Sequence, residues 1–174
     1  MKITAQEEYA IRCLGHLARS EAKTTISQIA EVVGLSDENT AKIMARLRQL
    51  GLVQSLRGKE GGYLLARPAA QISVAQVLEG ISGGVFELER CVAANDGRGC
   101  NFHEDCGIRP VWISLGGLVH QFLGSITLAD ILANERDVRA QVNGIAAGVD
   151  QSRLLRRATA RDAQHGSPNG AEPA

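Results

Sequence analysis

The chain has 174 residues, with 19 Lys and Arg against 19 Asp and Glu and an aromatic content of 3%. That length buries one ordinary core with extensions, while so few aromatics exclude a protein that stacks single-stranded bases on aromatic platforms. No stretch reaches the ~20 apolar residues of a membrane span, and the opening "MKITAQEEYAIRC" has no apolar run behind a basic start, so a soluble, cytoplasmic protein is expected.

The zero net charge conceals a division. Residues 1–67 hold 10 Lys or Arg and 7 Asp or Glu, whereas residues 68–132 hold 3 and 7. A locally basic N-terminal third makes duplex DNA the better nucleic-acid partner.

Residues 4–19 read as a helix, with Thr4 as N-cap and Ala10, Ile11, Leu14, Leu17 and Ala18 as its apolar stripe. Cys13 borders that stripe and reads as a small buried hydrophobe. Glu8 and Arg12 face away from it at i, i+4 spacing, which supports an ion pair. In residues 24–53, Thr25 or Ser27 caps a short helix with Ile26, Ile29, Ala30 and Val33 inward. Gly34 supplies a turn that Leu35 plugs, and Ser36 caps a second helix. Ile43, Met44, Leu47 and Leu50 form the buried face of that helix, leaving Asn39, Lys42, Arg46 and Gln49 exposed. The pattern is a helix-turn-helix with a polar second helix able to enter a major groove.

"GLVQSLRGKEGGYLLARP", residues 51–68, reads as a β-hairpin closed by Pro68, hence the wing of a winged helix, with Arg57 and Lys59 at its tip. Residues 73–81 form a short helix packing back on this domain. After the cysteine segment, Pro110 begins a helix running to about residue 124. Its Ile108, Val111, Trp112, Leu115, Leu118, Val119, Phe122 and Leu123 recur at helical spacing with no Asp, Glu, Lys or Arg after Arg109. So little charge implies cover on more than one side, and a homodimer packed through this helix is expected. "SITLADIL", residues 125–132, predicts a final short helix, and "ATARDAQHGSPNGAEPA" has the composition of disorder. The expected fold class is mainly α. A winged helix-turn-helix DNA-binding domain spans 1–80, a cysteine-containing loop 81–108, a dimerisation helix with its short successor 109–132, and a mostly disordered tail 133–174.

The cysteine loop, "CVAANDGRGCNFHEDC", places Cys91, Cys100 and Cys106 in a Gly-, Asn- and Asp-rich stretch. In a reducing compartment such thiols bind metal or sense redox state more readily than they form structural disulfides. Thiolates suit iron-sulfur clusters and zinc alike. Structural zinc sites usually pair cysteines as C-x₂₋₄-C, and neither gap here has that length. A zinc-bound or thiol-switched regulator therefore stays as the alternative reading. An enzyme is not expected: no dinucleotide fingerprint, no C-x-x-C and no nucleophile with a base at motif spacing occurs. For base contacts the favoured residues are Ser36, Glu38, Asn39 and Lys42. Glu38 could accept from a cytosine amino group and Asn39 could pair with adenine, while Arg57 and Lys59 hold backbone or minor groove.

Three stretches, "MKITAQEEYAIRCL", "GLVQSLRGKEGGYLLARP" and "DCGIRPVW" leading into "FLGSITLADIL", resemble the Rrf-two (Rrf2) family of bacterial transcription regulators of the IscR, NsrR and RirA type, over roughly residues 1–135. The resemblance implies a homodimer on a palindromic DNA operator, acting as a repressor. Its affinity would be set by an iron-sulfur cluster, two-iron two-sulfur or four-iron four-sulfur, that senses iron, redox state or nitric oxide. It implies Cys91, Cys100 and Cys106 as cluster ligands. The eight-residue gap between Cys91 and Cys100 is longer than in IscR-like members, and the histidine those members carry three residues after the last cysteine is Arg109 here, which stays protonated and cannot ligate. Relatives of the nitric oxide sensor type use an acidic residue near the eighth position, which implies Glu8 as fourth ligand, with His103 as the competing candidate.

Overall fold

In the computed structural model, described for residues 3–20, 22–56, 58, 61–83 and 106–148, each early helix starts where a hydroxyl can cap it. Thr4 opens α1 (Ala5–Arg19), Thr25 opens α2 (Ile26–Val33), Ser36 opens α3 (Asp37–Gln49) and Ser73 opens α4 (Val74–Ser82), each accepting a backbone N–H of the first turn. At α1, α2 and α4 the residue three places on returns the bond, so a second orphan donor is satisfied. The turn after α2 is made at Gly34, whose φ of 76° and ψ of 39° lie in the left-handed region that favours glycine.

Antiparallel strands β1 (Val53–Leu56) and β2 (Gly62–Leu65) form the predicted hairpin, with Val53 opposite Leu65 and Leu56 opposite Gly62. A third strand one residue long joins it: Thr24 and Tyr63 exchange backbone bonds of 3.1 and 2.8 Å just before α2. The wing is thereby fixed to the helix-turn-helix from both ends.

The core lies among α1, α2, α3, the hairpin and α4. Ala10, Cys13 and Leu14 of α1, Ile29 of α2, and Met44 and Leu47 of α3 have no exposed surface, and Leu52, Ile72 and Leu78 have almost none. Each side chain of Leu, Ile or Met size buried this way stabilises the fold by about 1.5–3 kcal/mol.

Pro110 sits in the first turn of α5 (Arg109–Gly124), where its missing N–H has no intrahelical role. Residues 125–132 depart from the expected helix. Thr127 pairs with Ser73 in an isolated bridge, Ile126 and Leu128 are buried, and only Asp130–Leu132 turns, as a 3-10 helix. Backbone bonds of 2.9 Å from Val74 to Ile126 and 2.7 Å from Leu128 to Ile72 hold this segment beside α4, which an isolated helix would forgo.

Within the segment 133–174, expected to be mostly disordered, Glu135–Gly148 is instead helix α6. Asn134 caps it, accepting from Asp137 N–H at 3.0 Å, and Glu135 pairs with Arg139 at i, i+4. The segment at 158–174 whose composition suggested disorder lies outside the described residues.

Candidate DNA-binding surface and cysteine site

α3 is built to show one face outward. Thr40, Ile43, Met44 and Leu47 are buried, while Ser36, Glu38, Asn39, Lys42, Arg46 and Gln49 are exposed, and Leu50 is half-buried. Ser27 Oγ of α2 donates to Asp37 Oδ2 at 2.5 Å and ties the two helices of the motif together. Asp37 and Glu38 in the first turn suit the positive end of the helix dipole. Ser36 Oγ accepts the Asn39 N–H at 3.3 Å, so its first role is the cap.

Lys42 Nζ lies 2.7 Å from Glu38 Oε1, with side chains 67% and 78% exposed. A pair so open to water contributes at most about 0.5 kcal/mol, so both groups are free to exchange partners for a base or phosphate. Arg46, which the sequence pattern leaves on the outer face, and its neighbour Arg48 both point elsewhere. Arg48 Nη1 donates to Ser55 Oγ of the wing at 3.4 Å, and Arg46 donates twice to the Gly80 carbonyl of α4. Arg57 and Lys59 lie outside the described residues, although both strands that carry the tip are described.

Cys106 is half-buried and free, immediately ahead of α5, and its carbonyl accepts the Arg109 N–H at 3.2 Å. Its two loop partners, Cys91 and Cys100, and the candidate His103 lie outside the described residues. Cys13 is different in kind. Its thiol has no exposed surface, and burial pushes its pKa up to about 11, which keeps it protonated and a poor ligand. Among the described residues no three His, Cys, Asp or Glu side chains gather as a metal site.

Glu8 is exposed and paired with Arg12 at 2.5 Å, and Arg12 also lies 5.8 Å from the Tyr9 ring centroid. With side chains 54% and 56% exposed, this pair parts at little cost. Its neighbour Glu7, which the apolar stripe of α1 leaves out, is the buried one, at 4% exposure. Burial by itself would raise its pKa, but hydrogen bonds from Ser82 Oγ and from the Thr4 N–H and hydroxyl outweigh that and hold it below the ordinary value. The signal was present in the T-x-x-E spacing of Thr4 and Glu7, which is a capping box.

Among the described residues, α5 presents an apolar face that stays uncovered. None of its residues is buried, and Val111, Trp112, Ile113 and Leu115 are 52, 37, 42 and 37% exposed. Its second half rests on α4, where His120 Nδ1 lies 2.5 Å from Glu79 Oε1.

The family model described as Rrf2, iron-dependent transcriptional regulator, matches residues 3–134. The transcriptional regulator IscR of Xenorhabdus nematophila is 33% identical over 137 residues, covering 78% of this chain and 81% of that protein. The solved structure of T. potens IscR superposes with a TM-score of 0.56 at 30% identity, over 76% of this chain and 86% of the other. CymR of B. subtilis, described as its global cysteine regulator, superposes with a TM-score of 0.61 at 26% identity, over 76% and 96%. A matched span running from α1 through the bridge after α5, with a winged helix at its centre, leaves one assignment: the chain belongs to the Rrf2 family and is a winged-helix, DNA-binding transcriptional regulator, not an enzyme.

Proposed function

We propose that this regulator acts in the cytoplasm as a homodimeric repressor on a palindromic operator, and that an iron-sulfur cluster bound by Cys91, Cys100 and Cys106 sets its affinity. The observation that carries the reading is the position of Cys106. A free, half-buried thiol stands immediately ahead of α5, so whatever it ligates is tied to the start of the helix with the uncovered apolar face. Three soft thiolates and one weaker ligand fit a cluster with one accessible iron, which supplies reactivity toward oxygen, nitric oxide or iron loss when bound.

For the fourth ligand, Glu8 is exposed and, among the described residues, held by Arg12, so its carboxylate is available at the cost of one solvent-screened pair. His103 is the competitor. Two copies of α5, packed through Val111, Trp112, Ile113 and Leu115, would set two α3 helices about one turn of DNA apart, roughly 34 Å. On each, Glu38, Asn39 and Lys42 face the groove from behind the Ser36 cap, with Arg57 and Lys59 toward the backbone or minor groove.

A second reading keeps the DNA-binding fold and uses the thiols for zinc or a redox switch. It is favoured by the likeness to a protein described as a global cysteine regulator. Operator binding by protein purified without oxygen, measured before and after chelation of iron, separates the two. The cluster reading expects the affinity for operator over random duplex to change on iron removal. The thiol reading expects that change only on oxidation, and the zinc reading only on zinc removal.

A further inference from the structure

The last turn of α4 receives contacts from three other elements. From α3, Arg46 Nε and Nη2 donate to the Gly80 carbonyl at 3.1 and 2.8 Å. From α1, the buried Glu7 accepts from Ser82 Oγ at 2.5 Å. From α5, His120 meets Glu79. Gly83 then closes the helix in the left-handed conformation, its N–H donating to the Glu79 carbonyl at 2.8 Å, and the chain runs on toward Cys91.

The contact of α4 with α3 is close. A Cβ on Gly80 would lie 2.6 Å from Leu50 Cδ1 and 2.9 Å from Cδ2, so an alanine there has to push aside the Leu50 side chain at the C-terminal end of α3. The Gly80 carbonyl is one of the last four of its helix and lacks an intrahelical partner. A guanidinium there satisfies it and meets the negative end of the helix dipole.

An arginine on the exposed side of a groove-entering helix would ordinarily be assigned to a phosphate. We propose instead that Arg46 is a positioning residue. It latches the recognition helix to the last turn of α4, so that a displacement of that turn, imposed by the cysteine segment or by α5, is passed to α3. The transmission of cluster state rests on the function proposed above; the latch itself does not.

The test uses the full chain as wild type, Arg46→Gln, Gly80→Ala, the double variant and Lys42→Ala. Binding to an operator duplex selected by the wild type is measured by fluorescence anisotropy across a salt series, with iron and sulfide assayed on each sample and circular dichroism confirming the fold. Arg46→Gln is expected to lose roughly two- to thirtyfold in operator affinity with an unchanged salt slope. Lys42→Ala, which removes a groove-facing charge, should flatten the slope by about 0.9 for a phosphate contact. Gly80→Ala, which touches no DNA, should reproduce the Arg46→Gln loss, and the double variant should be no worse than either.

In both single variants the ratio of cluster-loaded to cluster-free affinity moves toward one. A slope flattened by about 0.9 in Arg46→Gln makes Arg46 a DNA contact and overturns the latch. Wild-type affinity in a folded Gly80→Ala overturns it as well, and an unchanged ratio in both variants overturns the transmission. Wild-type protein without iron or sulfide refutes the cluster reading instead, while the slope and the Gly80→Ala result still decide the latch.

Discussion

α1 and α5 are helices of 15 and 16 residues with opposite economies of apolar surface. α1 sinks Ala10, Cys13, Leu14 and Leu17 into the core and turns Glu8 and Arg12 to water. α5 carries an apolar sequence almost free of charge and buries none of its residues. The difference separates what folds the domain from what is left for another surface: within one chain α1 is complete and α5 is not. An exposed face of this kind marks an interaction site.

The comparison breaks first at the core. Leu14→Ala or Met44→Ala should cost about 2–5 kcal/mol in urea unfolding, because each leaves a cavity where the surroundings have no slack. Val111→Asp on α5, at a position 52% exposed, should do the reverse. Unfolding of the winged domain should move by no more than about 0.5 kcal/mol, as for a surface site, while the dimer proposed above shifts to monomer in sedimentation and operator affinity falls. Loss of folding in Val111→Asp would mean that α5 belongs to the core after all.

Glu7 sharpens the contrast with Glu8, its exposed neighbour. Since the folded-state pKa of Glu7 is lowered, its carboxylate stabilises the fold above the ordinary value of 4.5, and that contribution is lost as pH falls through the folded value. Glu7→Gln should therefore lower stability at neutral pH by about 1.5–3 kcal/mol, the range for hydrogen bonds to charged groups, and the gap to wild type should close in acid. Glu8→Gln, at a solvent-exposed pair, should change stability at neutral pH by no more than about 0.5 kcal/mol. Thr40→Val is the smallest change and has the opposite sign. The Thr40 hydroxyl is fully buried on α3 and has no hydrogen-bond partner among the described residues, so replacing it with a methyl should be neutral or stabilise by up to about 1 kcal/mol in the same assay.

The features legible in the sequence are those that local chemistry fixes. Thr4, Thr25, Ser36 and Ser73 announce helix starts, Gly34 announces the turn, and the 3.6-residue period assigns Ile43, Met44 and Leu47 to the inside of α3. Features that depend on distant partners are not legible. Nothing near Thr24 indicates a bridge to Tyr63, and nothing near Arg46 indicates a carbonyl 34 residues away. α6 escaped for another reason: its half-buried Val138, Val142 and Ile145 keep helical spacing, but they are few and stand among Arg, Asn, Gln, Ala and Gly, beside a tail whose composition suggests disorder. At the site, the identity of Glu8 as the exposed member of the Glu7–Glu8 pair follows from helical phase alone, whereas the role of Glu7 needed Ser82.

The central claim is that the thiols of Cys91, Cys100 and Cys106 hold an iron-sulfur cluster. Iron and acid-labile sulfide, with an absorption spectrum, on protein purified without oxygen beside a Cys106→Ala variant test it most directly. The account predicts brown wild-type protein with iron and sulfide in comparable amounts and a colourless variant. Colourless wild-type protein, or protein holding zinc alone, would contradict it and leave a winged-helix regulator that works through thiols or zinc.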